Sequence, residues 1–351
     1  MIANAAQLSQ SLSDIKAAER VAIDTEADSL HCYREKLCLL QVSVAGKDFV
    51  VDPLATIDLA PLCLALADKE IVLHGADFDL RLLRRSLDFV PKRIFDTVIA
   101  ARLVGIREFS LAALVKRFCN VDLAKGSQKA NWARRPLSAR MVAYAINDTH
   151  YLLGLATKLE EELNQRGRVE WFRQSCRRAL ELSAIDRTRV ADEAWRISGA
   201  GALRGPAAAV LRELWNWRER QAEAVDRPPF HILQNSELIS AAESFANGGT
   251  PDFRHFSPAR RHDFREAAER GLCLPEKAWP VIRRRTGQRP TADVLRRTEE
   301  IKLRRDRAAI QHDLEPTFIA SRSTIETIAA DETRATELLV PWQRDLLSAR
   351  D

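Results

Sequence analysis

The sequence predicts an α/β domain followed by all-α modules. Three observations carry this. Strand-like apolar runs alternate with helical patterns between residues 21 and 165, the chain after Arg107 reads as almost wholly helical, and the C-terminal half repeats itself as helix, turn and short helix.

Taken in order, "VAIDTE", "LCLLQVSV" and "DFVVD" are strand-like, rich in β-branched residues and broken at Ala45-Gly46 and Pro53. "IVLHGA" is a further short strand, and "DFDLRLLRRSL" follows with helical spacing at Leu80, Leu83 and Leu87. In the C-terminal half, "WRERQAEAVDRPPFHILQNSEL" aligns with "RRDRAAIQHDLEPTFIASRSTI", offset by 87 residues as from Pro229 to Pro316. Arg218/Arg305, Arg220/Arg307, Ala222/Ala309, Ile232/Ile319 and Ser236/Ser323 match. Each copy reads as helix, Pro-marked turn and a short helix that Ser236 or Ser323 caps. Two copies at this period imply two small helical domains rather than a solenoid. The boundaries expected are 1–165, a helical linker over 166–202, a first helical domain over 203–285 and a second over 286–351.

A chain of 351 residues with 46% apolar content can bury several cores. Its 54 Lys and Arg against 49 Asp and Glu leave a net charge of only +5, so affinity for a polyanion must come from local patches. Six cysteines without CxxC pairing exclude a stapled secreted scaffold. The N-terminus lacks the basic and apolar regions of a signal peptide, and no apolar run reaches about 18 residues. The expectation is a soluble, cytoplasmic, monomeric protein.

The stretch "VAIDTEADSLHCY" places Asp24, Glu26 and Asp28 in alternation on a strand, so their carboxylates converge on one face. Like charges so close repel unless water separates them or a cation binds them. In "HGADFDL", Asp77 and Asp79 stand at a helix start, where the dipole favours negative charge. In "YAINDTHYLL", Tyr144 and Asp148 are one helical turn apart and share a face.

Together these stretches resemble the tyrosine-bearing branch of the DEDD exonucleases. "DTE" is similar to the first motif, "HGADFD" to the second with Asp79 in the carboxylate position, and "YAIND" to the third. "NWARRPLS" resembles the Trp-x-x-Arg-Pro-Leu segment of ribonuclease D, and the repeat resembles the HRDC modules that follow the exonuclease domain in that family. The resemblance implies a ribonuclease H-like (DnaQ-like) mixed sheet followed by two α-helical HRDC-type domains. It further implies 3′-to-5′ exoribonuclease activity on RNA with an unpaired 3′ end, such as tRNA precursors. One departure is that Ala27 and Asp28 follow Asp-Thr-Glu where some relatives carry a bulky aromatic. Asp28 reads either as a hydrogen-bonding group behind the metal ligands or, by preference, as solvated surface.

Phosphodiester hydrolysis needs a nucleophilic water, charge relief at the phosphoryl oxygens and stabilisation of the leaving alkoxide, which two divalent cations can supply. Asp24, Glu26, Asp79 and Asp148 offer four hard carboxylate ligands, suited to Mg²⁺ or Mn²⁺ rather than zinc. Tyr144, with an ordinary pKa near 10, is assigned orientation of the nucleophile rather than base catalysis. His74 reads as a packed histidine. Between Asp122 and Asp148 there is no acid, while Lys125, Lys129, Arg134 and Arg135 surround Trp132, a pattern that can neutralise phosphates and stack a base. Arg218 and Arg220 with Trp215 and Trp217 form a weaker candidate patch. A DNA exonuclease and a non-catalytic RNA-binding scaffold are the competing readings.

Overall fold

In the computed structural model, residues 1–124, 126–185, 193–280 and 290–348 are described. Lys125 lies outside them. The chain forms two compact units. One takes Met1–Ala27, Lys36–Ile185 and the C-terminal segment from residue 289, and the other takes Asp28–Glu35 and the segment between residues 186 and 288.

The first unit is built on a five-stranded mixed sheet of β1 (Arg20–Ala27), β2 (Leu37–Val44), β3 (Lys47–Val51), β4 (Glu70–Leu73) and β5 (Arg93–Asp96) in the order β3-β2-β1-β4-β5. β1 pairs antiparallel with β2 and parallel with β4, and β4 pairs parallel with β5. Every residue of β2 is buried, as its largely apolar sequence, broken only by Gln41 and Ser43, suits for a strand covered on both faces. Helices α1 (Ala5–Ala17), α2 (Ala60–Leu66), α3 (Asp77–Leu87), α4 (Thr97–Leu103), α5 (Leu111–Cys119), α6 (Ala139–His150), α7 (Leu152–Gln165) and α8 (Val169–Ala184) surround it. β5 was not among the expected strands, since "RIFD" is too short to show alternation. The segment read as a linker begins with α8, whose Phe172 meets Phe95 of β5 with ring centroids 4.5 Å apart.

Between β4 and α3 the chain turns through Gly75 at φ +77°, a conformation that a side chain would strain. The Asp96 carboxylate accepts from the amides of Gly75 (3.1 Å) and Ala76 (2.9 Å), pinning the start of α3, and it also caps α4.

In the second unit α9 (Gly205–Ala224), α10 (Pro229–Ile232), α11 (Asn235–Ala246) and α12 (Pro258–Leu272) enclose a core of Leu211, Leu214, Trp217, Leu238 and Phe264. The repeat is structural as well as sequential. In the first unit α13 (Ala292–Gln311), α14 (Pro316–Ile319) and α15 (Arg322–Ala330) reproduce α9 to α11, followed by α16 (Ala335–Leu338) and α17 (Pro341–Ser348). Asp226 and Asp313 both turn the chain at positive φ, of 45° and 49°. Arg218 donates to the Leu233 carbonyl and Arg305 to the Ala320 carbonyl, each at 3.2 Å. The matched arginines therefore lock the same turn in both copies. The short helices are capped earlier than Ser236 and Ser323: Gln234 forms a capping box with Glu237, and Ser321 accepts from the Thr324 amide.

The second copy packs on the sheet's helices within the first unit. Arg168 donates to the carbonyls of Leu103 and His312, Trp171 stacks on Trp342 with centroids 5.0 Å apart, and Arg102 pairs with Glu315 at 3.0 Å while lying over Phe318. No helix among the described residues is long and apolar enough to cross a membrane.

Candidate active site

The alternating acids of β1 face α6. Oxygens of Asp24, Glu26 and Asp148 lie within 4.8 Å of one another, and all three side chains are partly buried. Asp148 comes from α6, whose first turn is capped by Ser138 accepting from the Met141 amide at 3.2 Å. Asp79, at the start of α3, is buried and held by Thr25, whose amide (3.1 Å) and hydroxyl (2.5 Å) both donate to its Oδ1. Among the described residues no ion pair neutralises any of the four.

The electrostatic consequence is that all four carboxyls are shifted toward their protonated forms. Desolvation, then the charges of Asp79, Asp148 and Glu26, push Asp24 well above its ordinary range. Desolvation with Asp148 and Asp79 moves Glu26 up to about 9. Desolvation raises Asp148 to about 7 against a hydrogen bond from Tyr144, and Asp79 to about 6 against the bonds from Thr25. A site that raises the pKa of several carboxylates at once is short of positive charge. Hard oxygen donors gathered this closely fit divalent cations that prefer carboxylate ligands.

Tyr144 shares the α6 face with Asp148 and hydrogen-bonds both Asp148 and Gln128. Desolvation and the nearby Asp148, Glu26 and Asp24 charges raise its pKa, so the phenol stays protonated and serves as a donor. Thr25, the middle residue of "DTE", and Gln128, which lies outside every motif, were not singled out by the sequence reading. Behind α6, Ser43 donates to Asp48 (2.6 Å) and meets the Thr149 hydroxyl (2.7 Å), while His150 Nδ1 meets Asp48 at 2.7 Å. This seam ties the residues after Asp148 to the β2–β3 hairpin. His74 is packed against Thr97 at 2.9 Å, and burial lowers its pKa.

Two expected RNA contacts are corrected. Trp132 is 1% exposed, packed with Leu39, Val50 and Ala145 and with its ring 6.1 Å from that of Tyr144. It backs the tyrosine and cannot stack a base. Arg135 grips Asp52 with two bonds of 2.6 Å and donates to the carbonyls of Trp132, Arg134 and Cys38. Its donors are spent on the loop, which makes the Trp-x-x-Arg-Pro-Leu segment architectural. Lys129 and Arg134 are exposed on the same segment. Asp28, read as solvated, is 2% exposed and belongs to the second unit. Arg218 and Trp217 are buried in the second unit's core, not on a basic surface.

Arg135→Ala leaves the buried Asp52 carboxylate unpaired and is expected to cost about 3 kcal/mol of stability, read as a lower denaturant midpoint. Arg135→Lys restores little of it, since an ammonium cannot reproduce the planar fork.

Comparison with known proteins agrees with this geometry. A family model described as 3′-5′ exonuclease matches residues 1–164, and an HRDC domain model matches residues 207–246. The ribonuclease D of Sphingobium indicum is 32% identical over 247 residues, 69% of this chain, and the chain spans 63% of that relative's length. The ribonuclease D of Zymomonas mobilis is 26% identical across 99% of this chain and 91% of its own. The structure of Escherichia coli ribonuclease D shares the fold, with a TM-score of 0.75 at 24% identity over 99% of this chain and 98% of that one. Residues 1–164 thus match the 3′-5′ exonuclease family, and residues 207–246 downstream match the HRDC domain.

Proposed function

We propose that the protein is a ribonuclease D-like 3′-to-5′ exoribonuclease. It binds two divalent cations, Mg²⁺ or Mn²⁺, through Asp24, Glu26, Asp79 and Asp148, and it releases nucleoside 5′-monophosphates. The observation that carries this is the convergence of Asp24, Glu26 and Asp148 oxygens within 4.8 Å, inside a domain of the 3′-5′ exonuclease family. The bound cations supply charge relief at the phosphoryl oxygens and water of lowered pKa. Thr25 fixes the rotamer of Asp79, and the seam behind α6 holds Asp148 in reach of β1. Tyr144, protonated and braced by Trp132, orients the attacking water by hydrogen bonding. Lys129 and Arg134 meet the RNA backbone, and with Arg135 committed to Asp52 they are the described cations of that segment singled out for this role.

The substrate is structured RNA with a short unpaired 3′ tail, of which a tRNA precursor is the type, and the working form is a monomer. The names of the relatives support an RNA substrate, and the E. coli protein is described as an exoribonuclease involved in structured RNA processing. Incubating 5′-labelled and 3′-labelled RNA, beside matched single-stranded DNA, with and without chelator tests polarity, metal need and sugar preference together. The expected result is a shortening 5′-labelled ladder and immediate release of labelled mononucleotide from the 3′-labelled strand, both abolished by chelator. Internal cleavage, or faster digestion of DNA, overturns the proposal.

Tyr144→Phe is expected to lower kcat by about 10²-fold with little change in RNA affinity, because it removes an orienting bond and no phosphate contact. Single-turnover kinetics beside an equilibrium binding assay separates the two.

A further inference from the structure

Gln41 lies in the middle of β2 and is fully buried, yet neither its amide nitrogen nor its amide oxygen has a hydrogen-bond partner. It is the direct cross-strand neighbour of Asp24. Directly opposed residues of an antiparallel pair project to the same face. Two residues along the same face, Ser43 reaches Thr149 of α6, so this is the face that Asp148 covers. On the other side Gln41 is opposite Val50 of β3, and Leu39 before it packs in an apolar cluster with Val50, Trp132 and Ala145. Ser43 is already engaged by Asp48 and Thr149. The carboxylate directly across the strand pair from the amide is that of Asp24.

An amide without partners in such a strand costs the fold free energy that an apolar residue of the same shape would not. The remainder of β2 on both sides is apolar or satisfied, so the cost is not shared by a buried polar network. A carboxylate that ligates a cation through one oxygen commonly has its orientation fixed by a hydrogen bond to the other. We propose that Gln41 is a positioning residue for the cation site: in the cation-loaded protein its amide donates to the Asp24 carboxylate and fixes which oxygen faces the cation. The proposal rests on the exonuclease reading above and deepens it.

Gln41→Met, close in shape and without the amide, tests it on the full chain with Mn²⁺ as the probe. Isothermal titration with Mn²⁺ is expected to show about 10-fold weaker binding than wild type. The metal-free variant is expected to melt about 2–4 °C higher, since the unpartnered amide is gone. On RNA, kcat is expected to fall with KM unchanged, and the Mn²⁺ concentration for half-maximal rate to rise in step with the titration. A Mn²⁺ affinity equal to that of wild type overturns the proposal. Gln41→Leu stands in if the longer side chain overfills the site, and unfolding of both variants also overturns it, because it shows that the metal-free fold depends on the amide. Wild-type protein that binds no Mn²⁺ sinks the exonuclease reading itself, an outcome told apart because it does not involve Gln41.

Discussion

Asp148→Ala is expected to reduce divalent-dependent RNA digestion by about 10³-fold or more while the protein stays folded. The side chain belongs to the cluster of three whose oxygens converge, and its loss removes cation-borne charge stabilisation worth several kcal/mol, each 1.36 kcal/mol being tenfold in rate. Folding survives because Asp148 repels its neighbours: its charge is among those that raise Asp24 and Glu26. Removing it therefore relieves the metal-free site. Initial rates on 5′-labelled RNA, set beside thermal melts of the metal-free variant, check both halves. Unchanged digestion would take Asp148 out of the active site, and an unfolded variant would show that α6 depends on it structurally.

The second large effect is in the pH dependence of stability. The folded-state pKa values of Glu26 (about 9), Asp148 (about 7) and Asp79 (about 6) lie above the ordinary values of 4.5, 3.8 and 3.8. Between those limits the folded protein binds more protons than the unfolded chain, so unfolding releases protons and stability falls as pH rises. These groups cost nothing below about pH 4, where both states are protonated, and their full penalty is reached above about pH 9. Without divalent ions the melting temperature is expected to drop by about 5 °C or more between pH 5 and pH 9. Mn²⁺ or Mg²⁺, which binds the deprotonated carboxylates, is expected to raise it more at pH 8.5 than at pH 5.5. Melts across that range, with chelator and with excess cation, read the effect directly. A metal-induced shift that is larger at pH 5.5 would contradict the placement of these charges.

Much of this site was legible because its residue types are chemically unusual where they stand. Asp24 and Glu26 interrupt a buried strand, and Tyr144 and Asp148 share one turn of a helix, so periodicity alone puts each pair on one face. The 87-residue repeat was legible because the turn needs Pro229 or Pro316 and an arginine to hold its carbonyl. Trp132 and Arg135 were misread for a physical reason: a tryptophan and an arginine suit a nucleic-acid surface and a buried loop anchor equally well. What decides is Asp52, 83 residues away in the chain. Thr25, with two bonds to Asp79, and Gln128, beside Tyr144, act through long-range hydrogen bonds that no local pattern announces. Nor could the sequence place the second helical copy in the unit that holds the sheet, since that rests on pairings such as Arg168 with His312, 144 residues apart.

The central claim is that four carboxylates from β1, α3 and α6 form one cation-binding centre. Calorimetric titration of the wild-type protein and of Asp24→Ala with Mn²⁺ at pH 8 tests it most directly. The account predicts two ions per wild-type chain and loss of that binding in the variant. Equal isotherms for the two proteins would contradict it.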